Sequence, residues 1–165
     1  MSVTIKELTA DQGADHRWFT RAYHRWLQEL AGDQPLPAAE SELQLRALLA
    51  ARERRVFLIH RESHLTGFAV VGFSALAARQ TGGGAQLTPD YQLIDFFVDA
   101  EGRRLGVGSE AVRLLLLRFR GVWEVSELEG DHDAIRFWRK VIGRLTNGTF
   151  SEQRRAGRWH QHFQS

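Results

Sequence analysis

The sequence predicts a mixed α/β fold with a largely antiparallel sheet. Short apolar runs of strand length alternate with longer segments at helical spacing, in the order βααββ–βαβαββ. Only the connections that pass through helices can join parallel neighbours, so most strand pairs are expected to be antiparallel. With 165 residues, the chain is expected to form a single domain over residues 1–165, long enough to bury one core.

The first half of the chain is predicted to hold three strands and two helices. Val3, Ile5 and Leu8 indicate the first strand. Helices follow over residues 14–31 and 38–51, where apolar positions recur at helical spacing. Strands are then predicted at residues 56–59 and 65–73, joined by a polar hairpin turn. Two glycines in the latter strand, Gly67 and Gly72, indicate a bulge or a close backbone approach, of which the bulge is the simpler interpretation.

The second half is predicted to repeat a strand–helix alternation and to end in a hairpin. The strand at residues 93–98 is apolar and aromatic apart from Asp95. The remaining elements are a helix at residues 109–119, a strand at 122–128, a helix at 131–142 and closing strands around 148–151 and 158–163. Asp95 therefore stands out as an acid in a strand that is expected to be buried.

Composition narrows the function classes. Hydrophobic content of 43% with 25% charged residues is ordinary for a soluble globular protein, and no apolar run approaches the ~20 residues of a membrane span. The N-terminus lacks the layout of a signal peptide, so a bacterial cytoplasmic location is expected, with no membrane partner. The absence of cysteine excludes disulfides and thiolate zinc sites.

Charge and histidine patterns argue against nucleic-acid and metal binding. The formal net charge is only +2, and basic residues are scattered among acids along the helices, which is typical of a solvated surface. The pairs His60/His64 and His160/His162 have no accompanying carboxylate cluster, so no metal site is expected. No serine lies in a G-x-S-x-G turn, which disfavours a hydrolase.

A glycine-bearing turn between the Asp95 strand and the next helix predicts an anion site. Gly106 and Gly108 allow backbone N–H groups at a helix N-terminus to approach a ligand, and arginines flank them. The form Gly106-x-Gly108-x-x-Ala111 also fits the dinucleotide-binding motif, with Glu127 and Glu129 about 20 residues further on. However, residues 99–105 separate the turn from the strand, and too little chain follows to build a Rossmann fold.

The alternative is a resemblance carried by two separated motifs. Arg103-x-x-Gly106-x-Gly108 resembles the acyl-CoA pyrophosphate loop of the GNAT acetyltransferase superfamily. The motif Asp131-x-x-Ala134-x-x-Phe137-Trp138, after the strand VWEV, resembles the superfamily's next helix, whose usual form is N-x-x-A-x-x-F-Y. With IDFFV and the closing GRWHQHF, the last 75 or so residues are similar to a bacterial branch of predicted acetyltransferases.

The resemblance implies a fold and an activity. The fold is the GNAT one, a twisted, mostly antiparallel sheet flanked by about four helices. The activity is acetyl-CoA-dependent N-acetylation of a primary amine on an unidentified small-molecule or peptide acceptor, without a metal. The superfamily also implies a homodimer as a candidate assembly, and a glycine-rich loop at residues 81–89 is expected near the acceptor mouth. The rival hypotheses are a catalytically silent acyl-CoA-binding module and, more distantly, a nicotinamide oxidoreductase.

The resemblance also assigns cofactor-binding residues. The strand end implied to pair with the pantetheine is Phe97 and Val98. The residues implied to hold the pyrophosphate are Arg103, Arg104, Leu105, Gly106, Val107, Gly108 and Ser109. Those implied on the following helix are Asp131, Ala134, Phe137 and Trp138. The carboxylate of Asp131 is also a good helix N-cap, and capping is its expected duty.

Asp95 is the predicted general base, with Glu127 on the facing strand as second choice. Burial among aromatic residues would raise the pKa of Asp95 to a useful value; the alternative is a structural carboxylate hydrogen-bonded to a neighbouring loop. Many superfamily members have a thiolate-protonating tyrosine where this chain has Trp138, which cannot act as a general acid. Either the thiolate leaves unaided, or Tyr23 or His132 protonates it.

Overall fold

A computed structural model describes residues 1–74 and 88–165. Most of the predicted loop at residues 81–89, namely residues 81–87, therefore lies outside the described residues. The described chain forms seven strands and four helices in the predicted order. They are β1 (Val3–Glu7), α1 (Gly13–Ala31), α2 (Ala38–Ala50), β2 (Arg54–Arg61), β3 (His64–Phe73), β4 (Tyr91–Val98), α3 (Val107–Arg118), β5 (Val122–Leu128), α4 (His132–Leu145), β6 (Phe150–Arg155) and β7 (Arg158–Gln164).

All seven strands belong to one sheet, in the order β1-β2-β3-β4-β5-β7-β6. Five of the six neighbouring pairs are antiparallel, and the pair β4/β5, connected through α3, is parallel. The β6–β7 hairpin returns so that β7 lies between β5 and β6. This confirms the predicted mixed fold with a mostly antiparallel sheet.

The helices cover the two faces of the sheet. We call the face under α1 and α2 the front face; there, Phe19 and Tyr23 of α1 pack on Phe68 of β3. We call the face under α3 and α4 the back face; there, Leu115 of α3 and Trp123 of β5 share one core cluster with residues of α4. Helix α4 is amphipathic, and its buried side chains recur at helical spacing on the sheet side: Ile135, Trp138, Val141 and Ile142.

The central feature is a divergence of β4 from β5. The two strands pair only at their beginnings, the last pair being Leu93 with Val125. Beyond it β4 continues to Val98 and β5 to Leu128, with no further β4–β5 pair among the described residues. We call the opening the β4–β5 gap. It leaves backbone N–H and C=O groups on both strand edges available to a ligand.

A bulge in β4 decides which side chains face forward. Val70 of β3 pairs with Asp95 and Val71 pairs with Leu93, so Ile94 is an extra residue. Leu93 and Phe96 pack in the back-face core, whereas Ile94 and Phe97 pack in the front-face core. Because the bulge reverses the alternation, Asp95 lies on the front face together with Ile94.

Of the two glycines predicted to mark a bulge or a close approach, Gly67 marks the approach. A Cβ there would lie 2.3 Å from the carbonyl oxygen of Phe97, so only glycine lets β3 meet the end of β4. The predicted bulge also lies beside this glycine, because Ile59 pairs with Gly67 and His60 pairs with Leu65, which leaves Thr66 as an extra residue in β3. The bulge that sets the face of Asp95 is a second one, at Ile94 in β4.

Candidate active site

The predicted anion site is an exposed turn ahead of α3. Gly106 is the N-cap in the left-handed conformation, with φ 81°, and Arg104 is left-handed as well, with φ 66°. Alternation of left- and right-handed residues makes successive N–H groups converge into a concave anion site. The first N–H groups of α3 also have no acceptor within the helix. Together these N–H groups form an anion site at the end of β4, which we call the cradle (residues 104–109).

Aromatic side chains from α4 line the back of the β4–β5 gap. Phe96 of β4 lies 6.0 Å from Phe137 and 5.3 Å from Trp138, measured between ring centroids. A Cβ on Gly108 would come within 3.1 Å of the Phe137 ring, so a glycine at this point lets α4 pack against the start of α3. The two family-motif residues Phe137 and Trp138 are therefore brought to the cradle, Trp138 as a buried core residue.

The remaining cradle residues differ in exposure. Val107 is fully buried and packs against Val98, which places the start of α3 against the end of β4. Arg104, Leu105 and Gly106 are exposed, and Gly108 and Ser109 are half-buried. The side chain of Val107 therefore fixes the cradle, while the backbone around it stays accessible.

Arg103 is held by the protein's own groups. Its Nε donates to the Val98 carbonyl at 2.7 Å, and its Nη2 lies 2.7 Å from Glu29 Oε2 on α1. The guanidinium also lies 5.5 Å from the centre of the Phe97 ring. The resemblance assigns Arg103 to a phosphate; in this structure its Nε and Nη2 tie α1 to the end of β4.

The start of α4 shows Asp131 as a cap. Its Oδ1 accepts a hydrogen bond from the Ala134 N–H at 3.0 Å, which confirms the predicted capping duty. His132, one of the two predicted thiolate acids, is exposed at the first residue of this helix. The tip of α4 is therefore organised by Asp131 around its own backbone.

Asp95 occupies the front face where the gap opens. Burial raises the pKa of Asp95 to about 6, against the opposing positive charges of Arg54 and Arg158. Within the described residues its carboxylate accepts no hydrogen bond, so no loop among them holds it as a structural carboxylate would be held. Tyr23 of α1 is close enough for the Asp95 charge to act on it. Burial first, and that charge second, raise the pKa of Tyr23 to about 12.

Glu127, the second candidate, points to the opposite face. It is 4% exposed, and its Oε1 accepts a hydrogen bond from Gln161 Nε2 on β7. Burial raises the pKa of Glu127, and the hydrogen bond from Gln161 opposes the shift. Because Glu127 follows Trp123 and Val125 at two-residue spacing, it shares the back face with them and does not pair with Asp95.

Some residues near these groups carried no sequence signal. Arg54 and Arg158 act on Asp95 from β2 and β7, more than 40 residues away in the chain on either side, a relationship that only the register reveals. A small cleft of about 320 Å³ beside the cradle is lined by Gly106 and Ser109 together with two further arginines, Arg113 and Arg144. Arg113 is paired with Glu110, which also lines the cleft, so of these two arginines only Arg144 adds its positive charge to the anion site.

Metal-ligand clusters and membrane spans are both absent from the described residues. Among residues 1–74 and 88–165, no group of three or more His, Asp or Glu side chains could hold a metal ion. In the same ranges, no helix combines the length and hydropathy that crossing a bilayer requires.

Comparison with solved structures shows the same fold. An acetyltransferase from Thermus thermophilus superposes with a TM-score of 0.70 at 14% identity, covering 100% of this chain and 98% of the other. The aminoglycoside acetyltransferase AAC(6')-Ib in complex with coenzyme A gives 0.65 at 17% identity, covering 99% and 95%. The PaiA N-acetyltransferase from Thermoplasma acidophilum, in complex with coenzyme A, gives 0.62 at 13% identity and covers 100% of both chains.

Sequence comparison supplies the family. A search of curated proteins finds no significant match. The model of the Acetyltransferase (GNAT) family, however, matches residues 16–143, which include most of α1, the cradle, the Asp95 strand and most of α4. This match confirms the resemblance that the two motifs predicted, and the chain belongs to the GNAT acetyltransferase family.

Proposed function

We propose that the protein is an acetyl-CoA-dependent N-acetyltransferase that acts on a primary amine. The observation that carries this proposal is the β4–β5 gap, which opens between an anion cradle and a front-face carboxylate with a raised pKa. The pyrophosphate of acetyl-CoA is an anion that the cradle can bind. The acceptor amine must lose a proton, which the carboxylate can take.

The residues present fit acetyl-CoA. The converging N–H groups around Gly106 would hold the pyrophosphate, and the free edge of β4 at Phe97 and Val98 would pair with the pantetheine amides. Phe137 and Trp138 would cover the thioester end from the back face. The acetyl thioester supplies the group to be transferred.

Asp95 would accept the proton of the attacking amine, directly or through water. The amine nitrogen then bonds to the acetyl carbon, the carbon–sulfur bond breaks, and the electron pair leaves with sulfur. A base with a pKa of about 6 is ionised at neutral pH, so Asp95 is ready to accept this proton.

The thiolate would leave unprotonated. Trp138 cannot donate a proton as an acid. The raised pKa of Tyr23, about 12, makes its hydroxyl a weaker acid than a thiol, whose pKa is roughly 8.5. Transfer from Tyr23 to the thiolate would be uphill, so of the alternatives left open by the sequence we favour unaided departure.

Thermal unfolding with acetyl-CoA, followed by a coenzyme A release assay with a panel of primary amines, tests the proposal. Acetyl-CoA at 100 times its Kd should stabilise the fold by about 2.7 kcal/mol, and some amine should release coenzyme A. The absence of a thermal shift would contradict the cofactor site. A shift without release by any amine would contradict transfer and leave a silent acyl-CoA-binding module.

A further inference from the structure

The front face of β5, β7 and β6 lines an open cleft that the proposed chemistry does not use. Helices α1 and α2 pack on β2 and β3, whereas this half of the front face borders a cleft of about 990 Å³. Most of the side chains that the strands direct into it are polar, Val122 being an apolar exception. The polar ones include Gln92, Glu124, His162, Ser151 and Gln153. We call it the polar cleft.

Glu124 is the carboxylate of this cleft, and its neighbours hold it in one orientation. His162 Nε2 bonds to Glu124 Oε2, and Gln92 Nε2 donates to Oε1 at 3.3 Å. The Glu124 side chain is 13% exposed, so it is fixed in the cleft wall while part of it still meets solvent. A carboxylate oxygen can accept two hydrogen bonds and each oxygen of Glu124 has one here, so both have capacity left for a ligand.

His160 lies on the same face as Glu124, opposite Ser126, and approaches the Glu124 carboxylate from the side. It is 9% exposed, and its Nδ1 lies 3.6 Å from Glu124 Oε1. This nitrogen is buried and has no hydrogen-bond partner within the described residues. A buried polar atom without a partner costs free energy. A ligand ammonium bound to Glu124 would shift the carboxylate towards His160, give this nitrogen a partner and so lower that cost.

The arginines on this face do not neutralise Glu124. Arg158 pairs with Leu128, four residues along β5 from Glu124 and so about 13 Å away, and its Nε and Nη2 donate to the hydroxyl and carbonyl of Ser126. Arg155 is exposed and lines the far end of the cleft. It is four residues along β6 from Ser151, the residue level with Glu124 and His162, a distance of about 13 Å. The end of the cleft at Glu124 is therefore acidic.

Glu124 and Asp95 face the same side of the sheet at a defined spacing. Gln92, the β4 partner of Glu124, precedes Asp95 by three residues, one of which is bulged. At about 3.3 Å per residue along β4 and 4.8 Å between strands, the two carboxylates lie on the order of 10 Å apart. An extended diamine with four to six methylenes between its nitrogens matches this separation.

We propose that the polar cleft is a second-cation subsite and that the acceptor is a diamine-class molecule. The amine to be acetylated lies at Asp95, and a second ammonium is bound by Glu124, which His162 and His160 position. The inference rests on the proposed N-acetyltransferase function and adds the class of acceptor to it.

The test compares each monoamine with the diamine of equal length, using coenzyme A release with acetyl-CoA. The pairs are n-butylamine with 1,4-diaminobutane and n-hexylamine with 1,6-diaminohexane. One charged hydrogen bond should favour each diamine by about ten- to a hundredfold in kcat/KM. Glu124→Gln keeps the shape and removes the charge, so this preference should collapse. Glu129→Gln removes the same charge from the end of the β5 segment, outside the cleft lining, and should retain the preference.

The failures are distinguishable. Equal use of monoamines and diamines, or an unchanged preference in Glu124→Gln, would overturn the subsite while leaving acetyl transfer intact. If no amine releases coenzyme A, the transfer proposal fails, and calorimetric titration of 1,6-diaminohexane against n-hexylamine still decides the subsite. Tighter diamine binding that Glu124→Gln abolishes supports it, and equal affinities overturn it. Circular dichroism and acetyl-CoA binding verify that each variant is folded.

Discussion

The front face of the sheet has two halves of opposite character. Under α1 and α2 it is apolar, with Leu58, Phe68 and Val70 fully buried. Across the β4–β5 gap the same face carries Glu124, Ser126 and other polar side chains beside an open cleft. The back face carries an apolar core cluster in both halves, with the buried pair Glu127 and Gln161 as a polar exception. Strands β5 and β7 are thus amphipathic where β2 and β3 are buried on both sides, and Asp95 lies at the boundary.

The contrast teaches where a polar ligand can be accommodated. A strand covered on both faces has no open surface on which a polar substrate could bind. A strand with one polar face keeps that face in contact with solvent until a ligand binds. Asp95 adjoins both environments. It is therefore half-buried, and this burial raises the pKa of its carboxyl while leaving the group able to ionise.

The largest expected effect comes from breaking the covered half. Phe68→Ala removes a fully buried ring that contacts Phe19, Tyr23, Trp26 and Phe97, and should lower the free energy of unfolding by about 3–5 kcal/mol. In the open half, Gln153 is exposed, so Gln153→Ala should change the free energy of unfolding by less than about 0.5 kcal/mol. Urea unfolding measures both; comparable losses would contradict the two-halves description.

At the boundary, Asp95→Asn should lower turnover by about 10²–10⁴-fold with acetyl-CoA affinity retained. It should also stabilise the fold at pH 7, by on the order of 1–3 kcal/mol after allowance for partial exposure. The pKa of about 6 lies above the usual 3.8, so the native state binds the proton more tightly and wild-type stability falls as pH rises through that interval. A structural carboxylate predicts the reverse, a less stable variant with normal turnover.

The cradle is expected to be the next most sensitive region. Gly106→Ala forces a side chain into the left-handed conformation and places a methyl group at the N–H cluster. Acetyl-CoA affinity should fall by roughly tenfold, with about 1 kcal/mol lost in stability. Gly130→Ala is the matched control, because its added Cβ meets nothing within 4 Å. Unchanged calorimetric affinity in Gly106→Ala would remove the cradle from the cofactor site.

The smallest effect should come from the back-face carboxyl. Glu127→Gln keeps a carbonyl oxygen that can accept the Gln161 hydrogen bond, and it removes the cost of ionising a buried acid. Turnover should change by less than about fivefold. A loss as large as that of Asp95→Asn, measured in the same assay, would transfer the base assignment to Glu127.

Element order, sheet type and the helix cap at Asp131 could be predicted from the sequence, because they follow from local periodicity and local hydrogen bonds. The direction of Asp95 could not. If Ile94 were regularly paired and not bulged, Asp95 would share the back face with Leu93, and the apolar run around it contains nothing that marks the bulge.

Long-range pairings were equally invisible to sequence reasoning. Arg103 and Glu29 are 74 positions apart, and neither residue type nor spacing indicates that they meet. The alignment of Glu124 with His160 and His162 depends on the β5–β7 register. The sequence shows no carboxylate beside His160 and His162, because Glu124 reaches them from a neighbouring strand.

The role of Asp95 as the base is decided by the pH dependence of kcat/KM for coenzyme A release in the wild type and in Asp95→Asn, because this profile reports the ionisation of the free enzyme's base. The wild-type rate should fall as pH drops through about 6, and the variant should be much slower and lack that acid limb. An acid limb that persists unchanged in Asp95→Asn would contradict the assignment of Asp95 as the base at the mouth of the β4–β5 gap.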